Sequence, residues 1–142
     1  MLQTIQTASE NFCIHQIRAE HTVIDGVSKK RTFIAYIDID ANDTKKYRVY
    51  IASDEAFMQR VSMLFLEEDE SDEETLIDMT LETANLIIGS AKVIAEAENE
   101  NTYTINTPFF EKLGEFDFEY DSAKTITVDE DELTIAIKEL DG

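Results

Sequence analysis

The sequence predicts an α+β domain: two main helices packed on one face of an antiparallel sheet of about six strands. Three observations carry that expectation. Residues 54–66 and 73–97 repeat apolar side chains at i, i+3, i+4 and i+7, the spacing of a buried helix stripe. Several shorter segments alternate apolar and polar residues with the period of two that marks a strand. The connections between the early alternating segments are short enough for hairpins, which pair strands antiparallel.

The elements follow in order. Residues 10–20, ENFCIHQIRAE, alternate Phe12, Ile14, Gln16 and Arg18 against Cys13, His15 and Ile17, and read as a strand of mixed faces. No helix is predicted before it. Residues 25–30 form a turn. Residues 31–40 place Phe33, Ala35, Ile37 and Ile39 on one face, and residues 46–52 place Tyr47, Val49 and Ile51 on one face, with a turn over 41–45. The three strands form a meander. Ser53 or Asp54 can N-cap a helix over 54–66. Residues 67–74 carry seven acids in eight positions and read as a solvated loop whose last acids suit the positive end of the next helix dipole. After the helix over 73–97 comes a strand at 102–106, and Pro108 marks a strand edge or turn. Residues 115–120 and 124–128 flank a hairpin turn, and 132–138 supplies the last strand.

With 142 residues there is enough chain for one sizeable core, so residues 1–142 are taken as a single domain. The composition, 43% hydrophobic and 30% charged, is that of a globular protein. No stretch approaches the ~20 apolar residues of a membrane span, and MLQTIQTASENF lacks the basic and apolar regions of a signal peptide, so a cytoplasmic location is expected. Cys13 is the one cysteine, which excludes an internal disulfide and suits a reducing compartment. A net charge of −19 opposes binding to nucleic acid or to an anionic membrane and favours a partner with a basic surface.

Self-contained catalytic chemistry is not evident. There is no phosphate-binding glycine loop, nucleophile elbow or Cys–His pair. His15 and His21 lack ligand-spaced partners, so no metal site is expected. The run from Asp38 to Asn42 begins like an EF-hand loop, but Asp43 replaces the required Gly and Val49 stands at the bidentate Glu position. It reads as an acidic hairpin loop.

The long helix, EETLIDMTLETANLIIGSAKVIAEA, is more informative. Its apolar face holds Leu76, Ile77, Thr80, Leu81, Ala84, Ile87, Ile88, Ala91, Ile94 and Ala95. The opposite face holds Asp78, Met79, Glu82, Asn85, Leu86, Gly89, Lys92 and Val93. Glu82 and Asn85 lie one turn apart and can reach the same partner. A face meant only for solvent would be mostly charged. This one carries exposed apolar side chains, an Asn that competes for backbone groups, and a mid-helix Gly costing about 1 kcal/mol relative to Ala. It is read as a contact face.

The run Leu81-Glu82-Thr83-Ala84-Asn85-Leu86-Ile87-Ile88-Gly89 resembles the signature helix, E-x-x-N-x-x-x-G, of the CheC/CheX/FliY chemotaxis phosphatases. Glu96 with Asn99 and Glu98 with Asn101 repeat the E-x-x-N spacing, but only the copy at Glu82 is followed by Gly89. Tyr103-Thr104-Ile105-Asn106-Thr107-Pro108-Phe109-Phe110 is similar to the strand-then-proline segment that follows that helix in CheX. The resemblance covers roughly residues 47–112; Leu86 stands where many members carry Met.

The resemblance implies a CheC/CheX-like fold and a phosphatase that hydrolyses the aspartyl phosphate of a CheY-type response regulator. The regulator would bring its own acylphosphate and Mg²⁺, leaving the phosphatase no cofactor of its own. Asn85 would orient the attacking water and Glu82 would pair with the regulator's active-site lysine. From the helix wheel, Met79, Leu86 and Val93 would pack on the regulator and Gly89 would admit its close approach, with Asp78 and Lys92 on the same face. CheX relatives dimerise by continuing the sheet across subunits, which makes a homodimer a further expectation. Three other readings remain open at this point: a scaffold domain in which Glu82 and Asn85 are merely solvated helix residues, a non-catalytic dimeric module that binds receiver domains or other signalling proteins, and an acidic inhibitor that mimics nucleic acid.

Overall fold

The computed structural model describes residues 2–13, 20–41, 45–67, 70–97 and 103–140. In chain order the elements are α1 (Leu2–Asn11), β1 (Thr22–Asp25), β2 (Thr32–Ala41), β3 (Lys46–Asp54), α2 (Glu55–Leu66), α3 (Glu73–Ala97), β4 (Tyr103–Ile105), β5 (Phe109–Gly114), β6 (Ser122–Val128) and β7 (Asp131–Leu140). The architecture is α+β, with three helices and seven antiparallel strands among the described residues.

The sheet runs β1-β6-β7-β3-β2-β4, with β5 also on β2. The hairpin of β2 and β3 pairs Thr32 with Asp54 and Asp40 with Lys46. β3 pairs with β7 over Lys46–Asp54's first eight positions, from Lys46 opposite Leu140 to Ser53 opposite Leu133. β4 and β5 share the outer edge of β2: Ile105 lies opposite Ile39, and Phe109 opposite Tyr36. Pro108 falls in the gap between them, where no ladder donor is required. The backbone N–H and side-chain amide of Asn106 both donate to the Asp38 carbonyl, tying that gap to β2.

Alternation divides the two sheet faces. Phe33, Ile37, Ile39, Val49, Ile51, Ile126, Leu133 and Ile135 point into the main core under the helices. Ile34, Tyr50, Ala52, Ala123 and Ala136 point to the other face. That second face is covered by residues 115–120, which the sequence suggests as a strand but which pair with none. Phe116 and Phe118 pack on Tyr50, with ring centroids 5.2 and 5.1 Å away. The alternation of Phe with Glu115, Asp117 and Glu119 is real; it separates sheet from solvent rather than the two faces of a strand.

Three further departures follow from the topology. The strand expected over 10–20 does not form at its start: Glu10 and Asn11 end α1, and Phe12 and Cys13 are buried in the helix-side core. Residues 14–19 lie outside the described residues, and the next strand is β1, paired with β6 rather than with β2. The three-strand meander is therefore the β2–β3 hairpin alone. The early helix α1 is disguised because half of its buried face is polar: Thr4, Ile5, Ala8 and Ser9 are buried, and Ser9 returns its hydroxyl to the Ile5 carbonyl at 2.8 Å. Finally, Asp38 and Asp40 belong to β2 rather than to a loop, and Asp38 holds Arg48 across the hairpin at 2.8 and 3.0 Å. Residues 42–44 of the expected acidic loop lie outside the described residues.

Candidate functional site

The site is built on α3, and each local feature of that helix has a visible cause. Asp72 accepts the Thr75 N–H at 2.8 Å, capping the first turn. Those hydrogen bonds hold its carboxyl below the usual range. Glu73 and Glu74 occupy the first turn, where negative charge suits the dipole. Across the preceding connection, the Gln59 side chain exchanges hydrogen bonds with the Ser71 backbone, both at 2.9 Å.

One side of α3 is sealed. Leu76, Met79, Thr80, Thr83, Ala84, Ile87, Ile88, Ala91 and Ala95 are buried. The helix lies on β2 and β3 and is flanked by α1 and α2. Buried polar groups on this side are satisfied: Thr80 donates to the Leu76 carbonyl, and Tyr103 donates to the Ile88 carbonyl at 3.2 Å. Thr83 meets the Met58 sulfur of α2 at 3.9 Å.

The other side is open. Glu82, Asn85, Asp78 and Ser90 are exposed, with Leu86 at 38% and Val93 at 65% relative exposure. Gly89 and Lys92 are half-buried. Glu82 and Asn85 have no hydrogen-bond or ion-pair partner among the described residues, so both side chains are available one turn apart. Met79 departs from its expected place. It is buried in the main core at 6% exposure, because the packing of α2 beside α3 widens the sealed stripe past the wheel position that suggested contact with a partner.

Gly89 is the informative residue here. A Cβ built on it meets nothing within 4 Å, and its backbone is not in the left-handed region. The chain's own packing therefore does not demand a glycine. Beside it runs an open groove of about 500 Å³ lined by Asn11 of α1 and by Asn85, Leu86, Gly89, Ser90, Val93 and Ile94 of α3. The contribution of Asn11 is invisible to a reading that finds no helix at the N-terminus. Among the described residues no cluster of three His, Cys, Asp or Glu side chains could hold a metal, and no helix is long and apolar enough to cross a membrane. His21 instead bonds Glu10 at 3.0 Å.

The comparisons bear on this geometry. The family model described as "Chemotaxis phosphatase CheX" matches residues 34–129, a span that contains α3 whole. The chemotaxis protein CheX of Vibrio vulnificus is similar in structure, with a TM-score of 0.77 at 16% identity over 98% of each chain. CheX in the CheX–CheY–BeF3–Mg complex of Borrelia burgdorferi matches with a TM-score of 0.72 at 13% identity, covering 99% of this chain and 97% of that one. FliY of Thermotoga maritima is more distant, with a TM-score of 0.57 at 14% identity over 95% and 83% of the two chains. At such identities these likenesses speak to the fold alone. A search of curated proteins finds no match. The family model spans well over half of the sequence, includes the helix that bears Glu82 and Asn85, and agrees with the fold: the chain belongs to the CheX family of chemotaxis phosphatases.

Proposed function

We propose that this protein accelerates hydrolysis of the aspartyl phosphate of a CheY-type response regulator, with Asn85 positioning the attacking water and Glu82 pairing with the regulator's active-site lysine. The observation that carries the reading is the Glu82–Asn85 pair itself: exposed, without partners among the described residues, one turn apart on a helix whose far side is locked into the core. The Borrelia burgdorferi complex, in which a CheX of the same fold is bound to CheY with BeF3 and Mg²⁺, supports the choice of partner.

The chemistry asks little of the phosphatase. An acylphosphate already has a good leaving group, and the receiver would bring Mg²⁺ to its phosphoryl oxygens. Water's oxygen forms the new bond to phosphorus as the bond to the aspartyl oxygen breaks, giving a free carboxylate and inorganic phosphate. Asn85 acts by orientation: its amide oxygen accepts a hydrogen bond from the water and its NH₂ can donate one to a phosphoryl oxygen, which holds the water in line. A neutral amide suffices because no proton need be stored on it. The Glu82 carboxylate forms a charge-assisted bond to the lysine ammonium and sets the register that brings Asn85 to the phosphorus. Rigidity of α3 matters because misplacing a positioning group by ~1 Å can cost about 100-fold in rate.

The test is the decay of phosphorylated CheY from the same genome, with Mg²⁺, in the presence of substoichiometric protein. Accelerated decay that falls about 100-fold in Asn85→Ala, with binding retained, is the expected result. Glu82→Ala should lose affinity as well. Wild-type turnover by Asn85→Ala refutes the mechanism. Unaccelerated decay with intact binding would favour a non-catalytic receiver-binding module.

A further inference from the structure

The exposed face of α3 is divided along its length. Its N-terminal half presents Glu74, Asp78 and Glu82, four residues apart and therefore in one line along about 12 Å of the axis. All three are exposed, and no Lys or Arg pairs with any of them among the described residues. Its C-terminal half presents no acid until Glu96; Leu86, Gly89 and Val93 form one wall of the groove, Ile94 lies in it, and Asn11 of α1 closes the other side. Asn85 sits where the two halves meet.

Resting on the reading above, we propose that this face recognises its receiver domain through two adjoining chemistries: the anionic line takes Lys or Arg side chains, and the groove takes one large apolar side chain of the receiver. The occupant follows from charge. A second copy of this chain, at −19, would bring the same anionic line against itself, and an anionic lipid surface would be repelled likewise. A receiver surface with basic residues within about 10–20 Å of a protruding apolar side chain satisfies both halves at once. The groove also explains why glycine stands at 89: a side chain there would project into the space the partner needs, while nothing inside the protein objects to it.

The experiment titrates the CheY receiver of the same genome, as its beryllofluoride–Mg²⁺ complex, into the wild-type protein and five variants, and measures steady-state hydrolysis of the phosphorylated receiver alongside. Gly89→Phe fills the groove and Val93→Asp puts charge on its wall. Each is expected to weaken binding by about tenfold or more and raise KM, with kcat within about twofold for Val93→Asp, the substitution farther from Asn85. Val93 is 65% exposed, so its substitution remains informative if Gly89→Phe folds poorly. Asp78→Lys is expected to slow association and flatten its salt dependence. Ile24→Ser, on the sheet edge formed by β1, removes another exposed apolar residue and should leave binding unchanged. Wild-type affinity in both groove variants overturns the groove. If Asn85→Ala in the same series still loses turnover, the catalytic reading survives that result. A wild-type protein that neither binds nor dephosphorylates the receiver overturns both.

Discussion

Replacing Gly89 by Ala separates what the fold needs from what a partner needs. The added methyl enters open space, with nothing within 4 Å, and the backbone at 89 is ordinary helix. Intrinsic preference then decides the sign: Ala is favoured over Gly in a helix interior by about 1 kcal/mol, mostly through the entropy of the unfolded chain. Unfolding entropy near 60 °C is roughly 2.1 cal/mol/K per residue, or about 0.3 kcal/mol/K for a chain of this length. The midpoint should therefore rise by about 3 °C, read by differential scanning calorimetry. Affinity for the activated receiver should fall, by about threefold to tenfold, because the methyl occupies part of the approach. The two responses have opposite signs. A lower midpoint would mean that Gly89 serves the chain's own packing. A higher midpoint with unchanged affinity would mean that close approach at 89 is not why the glycine is there.

Two stability predictions follow from other parts of the fold. Asp54, buried at the end of β3, caps α2 through the Phe57 N–H at 2.8 Å and also accepts from the Glu132 N–H at 2.9 Å and the Lys30 ammonium at 3.2 Å. Asp54→Ala should cost about 3 kcal/mol in urea denaturation and Asp54→Asn less, since the amide oxygen keeps the cap; equal losses would assign the effect to charge instead. Burial pushes the Cys13 thiol up from 9.0 to about 12, with the nearby Glu10 charge adding to the effect. The folded protein thus keeps a proton that the unfolded chain gives up. The stabilisation is complete below pH 9 and erodes between 9 and 12, by on the order of 1 kcal/mol per pH unit. Denaturation midpoints at pH 8 and 10.5 should diverge more for wild type than for Cys13→Ala, and equal pH dependence would contradict it.

Where sequence and fold agree, a strong period stands behind the agreement. The long helix runs over 73–97 as its apolar spacing implies, and α2, β2, β3 and β7 fall within a few residues of expectation. In each, large aliphatic side chains recur on one face. The failures lie where the same pattern has two physical sources. Residues 115–120 alternate as a strand would, yet satisfy the alternation by laying Phe116 and Phe118 on Tyr50. α1 buries Thr4 and Ser9, residues that count as polar in any periodic reading, and its existence is decided by packing on α3. β1 and β5 are short edge strands whose pairing comes from distant β6 and β2, which local sequence does not encode. On α3, the exposure of Glu82 and Asn85 was legible because an exposed helix face is a surface property of one element. The burial of Met79 and the share of Asn11 in the groove were not, because each depends on a neighbouring helix.

The distribution of burial along α3 implies that stability and recognition are separable in this fold. Nine of its side chains are sealed between β2, β3, α1 and α2, and their loss would open cavities costing several kcal/mol for the larger ones. Glu82, Asn85, Leu86 and Val93 are exposed, so substitutions there should change stability by about 0.5 kcal/mol or less. Under the proposed function, such exposed positions are neutral for folding and decide what the helix binds. The core fixes where the helix axis lies, and the unpartnered face determines what it meets. Substitutions at these four exposed positions are therefore cleaner probes than substitutions at the buried Ile87 or Met79, where a loss of function can follow from a loss of fold.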